Sequence, residues 1–175
     1  AAAPAPDVFE RIKYDTPNIS GRMDNLRAAI LRPQLRALKS QVEKWNARYR
    51  AVEDGILNCP GLHIIERAPD GRFVGSSIQF LLPGYVPAQI ERFVQGCAGR
   101  GVELKWFGAA EPKAFTSRYD SWRYAAAQSL PETDRILAGL IDMRLPLTFT
   151  LDDCSTIGRI ISDEALKLSH SVAAQ

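Results

Sequence analysis

Residues 22–57 read RMDNLRAAILRPQLRALKSQVEKWNARYRAVEDGIL, and this stretch decides the fold. Large apolar residues fall at Leu31, Leu35, Leu38, Val42, Trp45, Tyr49, Val52 and Ile56, in steps that alternate between four and three. That period is one face of an α-helix, and a two-residue strand period does not fit it. Arg27, Arg32, Arg36, Lys39, Lys44, Arg48 and Arg50 lie mostly off the stripe. The stretch makes about ten helical turns. That exceeds what a small domain needs and predicts a helix that bridges two bodies. Pro33 lacks an amide donor and clashes with the preceding turn, at a cost of roughly 3 kcal/mol in a helix interior. A kink at residues 29–33 is therefore expected, or two helices meeting there, held by tertiary contacts.

The remaining composition is that of an ordinary globular chain. At 175 residues, 46% hydrophobic and 24% charged, it is long enough for a domain with a real core. A net charge of +2 gives no broad basic field for nucleic acid, and the aromatics do not interleave with a basic stripe. No apolar run reaches the ~18 residues of a membrane helix. Cys59, Cys97 and Cys154 are widely spaced, with no C-x-x-C pair and only His63 and His170 for company. This argues against a metal or redox site and for buried, reduced thiols in a cytoplasmic protein. The opening AAAPAPDVFE has no methionine, no charged leader region and no long apolar core, so no signal peptide is expected in it. The expectation is a piece of a longer protein, with residues 1–8 weakly held and residues 1–21 forming a leader and loop.

Working outward, residues 9–21, FERIKYDTPNISG, form an irregular approach. Pro17 disfavours helix for Thr16. Asn18, Ser20 and Gly21 are loop and capping types, suited either to plain N-terminal capping or to facing an anion. Past the helix, Asn58-Cys59-Pro60-Gly61 breaks the pattern. Residues 62–67 and 73–82 read as strands joined at the Pro69-Asp70-Gly71-Arg72 turn, an antiparallel hairpin with His63 packed in it or at its edge. Pro87 suits a first helical turn, Ile90, Phe93, Val94 and Cys97 keep helical spacing, and Gly99 or Gly101 closes the helix. Residues 102–107 form a third strand. Residues 108–129 crowd Phe115, Tyr119, Trp122 and Tyr124 around Arg118 and Arg123. That loop either lines a ligand pocket or anchors itself onto the core. Pro131 opens a helix carrying Ile136, Leu137, Leu140 and Ile141. Residues 144–149 make a short edge strand at best, because Pro146 lacks a donor. Thr150 to Asp153 has the form of a capping box, and the closing helix uses Cys154, Ile157, Ile160, Ile161, Ala165 and Leu168 before a frayed tail. The fold class is therefore α/β, more narrowly an α+β small domain: a long kinked helix, then a small, mainly antiparallel sheet covered by helices.

Residue types alone give no reaction. There is no G-x-S-x-G, Walker loop, G-x-G-x-x-G or H-E-x-x-H. Asp152 and Asp153 are neighbours at a helix start and point apart, so they are capping and dipole charges rather than an acid pair.

Three segments do resemble a known family. Residues 18–35, NISGRMDNLRAAILRPQL, resemble the N-Y-R-M-x-x-x-Q-A-A-x-x-x-x-Q-L segment of the DegT/DnrJ/StrS-type aminotransferases, with Arg27 in place of the first glutamine. Gly101-Val102-Glu103 resembles that family's G-I-E, and Leu145-Pro146-Leu147 before a capped helix resembles its L-P-L-x-P-x-x-T. Order and spacing agree over residues 14–168. The resemblance implies the C-terminal part of a fold type I enzyme dependent on pyridoxal 5'-phosphate, with residues 22–175 as interdomain helix and small domain. Its chemistry would move an amino group from a donor such as glutamate to a keto-sugar or related keto acceptor. The aldimine lysine would lie in the missing large domain, because Lys13 is too close to Arg22-Met23 to be its equivalent. No catalytic residue and no metal ligand is therefore expected here. Asn18, Ser20 and Arg22 would reach the cofactor phosphate of a neighbouring subunit in a homodimer, and Lys105, Trp106 and Phe107 would face the substrate side. The family's tyrosine-x-P-L-H stretch is replaced by Trp106 to Pro112, without the histidine. The alternative is a non-catalytic interaction or dimerisation module derived from the family, and a third reading is an unrelated α+β binding domain.

Overall fold

Asp24 starts the long helix. Its carboxylate accepts a hydrogen bond from the Arg27 amide at 2.8 Å and pairs with the Arg27 guanidinium at 3.1 Å, satisfying one of the free donors of the first turn. The computed structural model describes Ala5, Asp7, Val8, Arg11, Asp15 and residues 23–68, 70–111 and 118–173, with side chains as far as Leu168. Asn18, Ser20 and Gly21 lie outside these residues, and the helix cap belongs to Asp24 instead.

Helix α1 spans Asn25–Ile56 and runs through Pro33 as one element, not two. Among the described residues, no buried side chain supports the helix around Pro33. Leu26 is 71% exposed and Leu35 67%, whereas Val52 and Ile56 are fully buried. Solvent can satisfy the carbonyl that Pro33 leaves without an amide, so a proline is tolerated here more easily than in a buried turn. Only the last two turns of the apolar stripe, from Tyr49 onward, enter the core.

The hairpin forms, but it is shorter than its sequence suggests. Strand β1 is His63–Ile64 and β2 is Ser77–Leu81, antiparallel with His63 opposite Leu81 and Ile64 opposite Phe80. Beyond Ile64 the arms part, because Phe73 and Gly75 are held by α1. The Asn46 amide donates to the Phe73 carbonyl at 3.2 Å and its oxygen accepts from the Gly75 amide at 2.7 Å. A Cβ on Gly75 would come within 2.5 Å of the Tyr49 Cβ, so only glycine allows this approach.

Helix α2, Pro87–Gly99, follows with proline in its first turn and the Gln89 side chain accepting from the Val86 amide at 3.0 Å. Gly101, at φ +84°, turns the chain in the left-handed region while the Val102 amide returns to the Cys97 carbonyl at 2.9 Å. Strand β3 is Lys105–Trp106 and helix α3 is Pro131–Gly139. The sequence reading extends α3 through Leu140 and Ile141, but those residues open strand β4, Leu140–Arg144. Gly139 packs against the Leu82 carbonyl, and the chain turns extended at Leu140. The strand therefore precedes Pro146, and it is central rather than an edge. The sheet order is β1-β2-β4-β3 with every ladder antiparallel.

Helix α4, Leu151–Ala173, begins at a capping box. The Asp153 carboxylate accepts from the Thr150 amide at 2.8 Å and hydroxyl at 2.7 Å, and the Thr150 hydroxyl accepts from the Asp153 amide at 3.1 Å. It packs along the inner half of α1. The crossing is close because Gly55 and Gly158 face each other: a Cβ on Gly158 would lie 2.8 Å from the Val52 carbonyl oxygen and 3.1 Å from the Gly55 Cα. Arg48 locks the entry to α4, donating to the Phe149 carbonyl at 2.6 Å and the Leu147 carbonyl at 3.1 Å.

One core unites these elements. Ile78, Phe80, Ile141 and Met143 on the sheet meet Val52 and Ile56 from α1, Ile90, Phe93 and Cys97 from α2, and Cys154, Ile157 and Ile161 from α4. All three cysteines are free and buried, as their isolation in sequence suggests. The opposite face of the sheet carries polar residues.

Candidate functional site

Strand alternation puts residues i and i+2 on one face and i+1 on the other. Lys105 and Phe107 accordingly share a face, with the Lys105 ammonium 4.4 Å from the Phe107 ring centre. Trp106 turns the other way. Its indole packs against the core and donates to the Ala138 carbonyl at 2.8 Å. The three residues singled out at the third strand are thus split into an outward pair and a supporting member. Lys105 lies in register with Asp142, and Asp142 with Gln79, whose amide donates to the Asp142 carboxylate at 3.2 Å. A polar row therefore crosses three strands.

Beyond Phe107 the aromatic loop folds back. The Arg118 guanidinium binds the Asp120 carboxylate and donates to the carbonyls of Ala109 at 3.4 Å and Ala110 at 3.1 Å. Asp120 holds Arg118 fully charged, and Arg118 holds the Asp120 carboxyl below its usual range. The Tyr119 hydroxyl donates to Asp134 on α3 at 2.9 Å, which pushes that phenol's pKa up. Trp122 stacks on Tyr124 with ring centres 5.8 Å apart. Phe115 lies outside the described residues. A recess of about 290 Å³ remains between Phe107, Gly108, Arg118, Tyr119, Asp134 and Leu137. The loop thus both anchors itself and leaves a small hollow next to Phe107.

Where α2 meets α4 there is a charge cluster that no local sequence pattern announces. Glu164 on α4, its side chain 7% exposed, accepts from Lys167 at 2.6 Å and Arg100 at 3.1 Å, while Arg100 also reaches Asp163 at 3.0 Å. Lys167 first, then Arg100, hold the Glu164 carboxyl below the usual range. A folded-state depression adds stability that is complete above the ordinary glutamate pKa of ~4.3 and is lost as pH falls through the folded value. Glu164→Gln is therefore expected to lower stability at pH 7 by about 1–2 kcal/mol, allowing for solvent at the exposed Lys167 end. The gap from the parent should narrow below pH 4 in urea unfolding. Beside this cluster, burial and then Glu164 push the Cys97 thiol up to about 12, which leaves it a packing residue rather than a nucleophile.

Pyridoxal phosphate needs an amine for its carbonyl and donors for its phosphate. Asn18, Ser20 and Arg22, the residues named for the phosphate, lie outside the described residues. Among the described lysines, Lys39 and Lys44 stand exposed on α1, Lys167 is bound to Glu164, and Lys105 lies over Phe107 on the outer face. None has the enclosed, desolvated setting that activates an aldimine-forming amine. The described residues therefore do not fit the reactive end of the group. They also contain no cluster of histidine, cysteine or carboxylate side chains able to hold a metal ion. No described helix is long and apolar enough to cross a membrane.

Comparison with known proteins places this geometry. A family model described as the DegT/DnrJ/EryC1/StrS aminotransferase family matches residues 5–162. Among solved structures, 3-amino-5-hydroxybenzoic acid (AHBA) synthase superposes with a TM-score of 0.63 at 16% identity, over 92% of this chain and 47% of that one. The aminotransferase TlmJ from Streptoalloteichus hindustanus superposes with a TM-score of 0.67 at 17% identity, over 87% of this chain and 40% of that one. At such identities the likeness is one of fold, and the chain spans less than half the length of either protein. No curated protein is a significant match.

Proposed function

The chain belongs to the DegT/DnrJ/EryC1/StrS aminotransferase family, and from that membership we propose that it is the C-terminal portion of a pyridoxal-phosphate-dependent aminotransferase. The reaction is transfer of an amino group from an amino acid such as glutamate to a keto-sugar or related keto acceptor, in a cytoplasmic homodimer. The cofactor supplies the electron sink for that chemistry, and the amine that binds it comes from the large domain outside this chain.

The observation that carries this reading is the bare half of α1. Leu31, Leu35 and Leu38 are exposed along one face of a helix whose other end is fully buried, and Leu26 and Ile30 are exposed on its first turns. Covering a large aliphatic side chain is worth ~1.5–3 kcal/mol, so an apolar run of this length on one helix is a surface built to be covered. A large domain of the same enzyme is the occupant that fits an interdomain helix. The polar outer face of the sheet, with Lys105 and Phe107, then lines the substrate side, and Trp106 braces it from behind.

Arg22 is assigned to the cofactor phosphate of the neighbouring subunit, where a guanidinium near a helix start suits a dianion. Arg22→Ala in the full-length enzyme should weaken cofactor retention on dialysis by at least about tenfold, the scale of one charge-assisted contact. Unchanged retention removes Arg22 from that role. The same bare stripe also suits the rival reading, a non-catalytic dimerisation module. Amino transfer by the full-length protein distinguishes the two.

A further inference from the structure

Where β1 leaves β2, the gap between the parting arms forms a pocket of about 190 Å³ lined by Tyr49, Ile65, Arg67, Val74, Ser77 and Gln79. Continuing the register past Ile64 would set Ile65 opposite Gln79 and Arg67 opposite Ser77, but those pairs never form. The splayed arms instead leave their side chains around a hollow.

Arg67 dominates it. Its guanidinium carbon lies 3.8 Å from the centre of the Phe73 ring and 4.3 Å from that of Tyr49, two rings set edge to face at 5.4 Å. Aromatic contact of this kind holds the planar group in place and leaves its in-plane N–H donors free to act. One interaction goes to the Tyr49 hydroxyl. Among the described residues no carboxylate pairs with Arg67. Glu53 acts on the Tyr49 hydroxyl and Asp142 is engaged by the Gln79 amide, and neither forms an ion pair with Arg67. An exposed arginine held by two rings at the rim of a hollow, with no ion pair among the described residues, has donors left for an anion. Ser77 adds a hydroxyl, and Ile65 and Val74 add apolar wall.

We propose that this pocket binds the carboxylate of a small organic acid, with Arg67 as its anchor. A carboxylate matches the guanidinium fork in shape and charge. The apolar wall suits a short carbon chain, and the volume, about six waters at ~30 Å³ each, matches a small acid. The site lies on the same sheet face as Lys105, two strands away through Gln79 and Asp142, but its binding of a carboxylate does not rest on the aminotransferase reading.

The test is an amide and arginine side-chain NMR titration of the whole chain with sodium succinate, and in parallel with sodium phosphate, at ionic strength held constant with sodium chloride. Saturable succinate shifts at Ser77, Gln79 and the Arg67 Nε–H are expected. Arg67→Gln should weaken binding at least tenfold. Arg67→Lys, which keeps charge and stem, should weaken it less, and Ser77→Ala, which leaves the stacked arginine untouched, a few-fold. Spectra unchanged elsewhere establish that the variants fold. Absence of saturable succinate shifts, equal affinity in Arg67→Gln, or saturation by phosphate alone would overturn the proposal.

Discussion

Gly158→Ala is expected to destabilise the fold by about 1–3 kcal/mol, and Gly158→Val by more. In an ordinary helix interior the alanine would be favourable by up to ~1 kcal/mol, because glycine costs the helix that much in entropy. Here the added Cβ meets backbone, the Val52 carbonyl oxygen at 2.8 Å and the Gly55 Cα at 3.1 Å, and backbone cannot rotate away. Helices α1 and α4 would have to separate, opening the core at Val52, Ile56, Cys154 and Ile161. Gly99→Ala is the control. No atom lies within 4 Å of a Cβ at Gly99, so the same substitution there should be neutral or stabilising by a few tenths of a kcal/mol. The urea midpoint should therefore fall for Gly158→Ala and hold or rise slightly for Gly99→Ala. A stable Gly158→Ala protein would mean that the helices do not approach as closely as described.

The second large effect concerns the bare half of α1. Leu35→Glu combined with Leu38→Glu should leave the stability of the isolated chain within about 0.5 kcal/mol of the parent, because both side chains are already largely in water. In the full-length protein the same pair should be severe. Two aliphatic anchors lost from a buried face, with two charges put in their place, remove several kcal/mol of association. Gel filtration and thermal unfolding of the full-length variant would then show lost assembly and a large fall in Tm. Equal behaviour in both settings would mean that nothing covers this stripe.

These contrasts also show what the sequence could and could not disclose. The alternation from Leu31 to Ile56 is a local pattern, so it located α1 to within a few residues. It could not show where the stripe stops being covered, because the periods before and after Tyr49 look the same. Leu140 and Ile141 satisfy helical spacing after Ile136 and Leu137, yet they pair with Phe80, Leu81 and Trp106 in the sheet. Long-range pairing overrides local preference there. Thr150 and Asp153, three residues apart, were legible as a cap because both partners are local. Lys105, Trp106 and Phe107 were legible as one strand, but their division between faces follows from the pleat once β4 is in place. The Arg67 cluster was invisible for a simpler reason: Tyr49, Arg67 and Phe73 come from three segments that only the fold brings together.

The central claim is that this chain supplies a helix and a cap to a pocket whose reactive amine is elsewhere. Its most direct test is borohydride reduction of the purified chain with equimolar pyridoxal phosphate, read by intact mass and peptide mapping. The account predicts at most scattered, substoichiometric labelling of surface lysines. A single lysine modified at one equivalent per chain would contradict it.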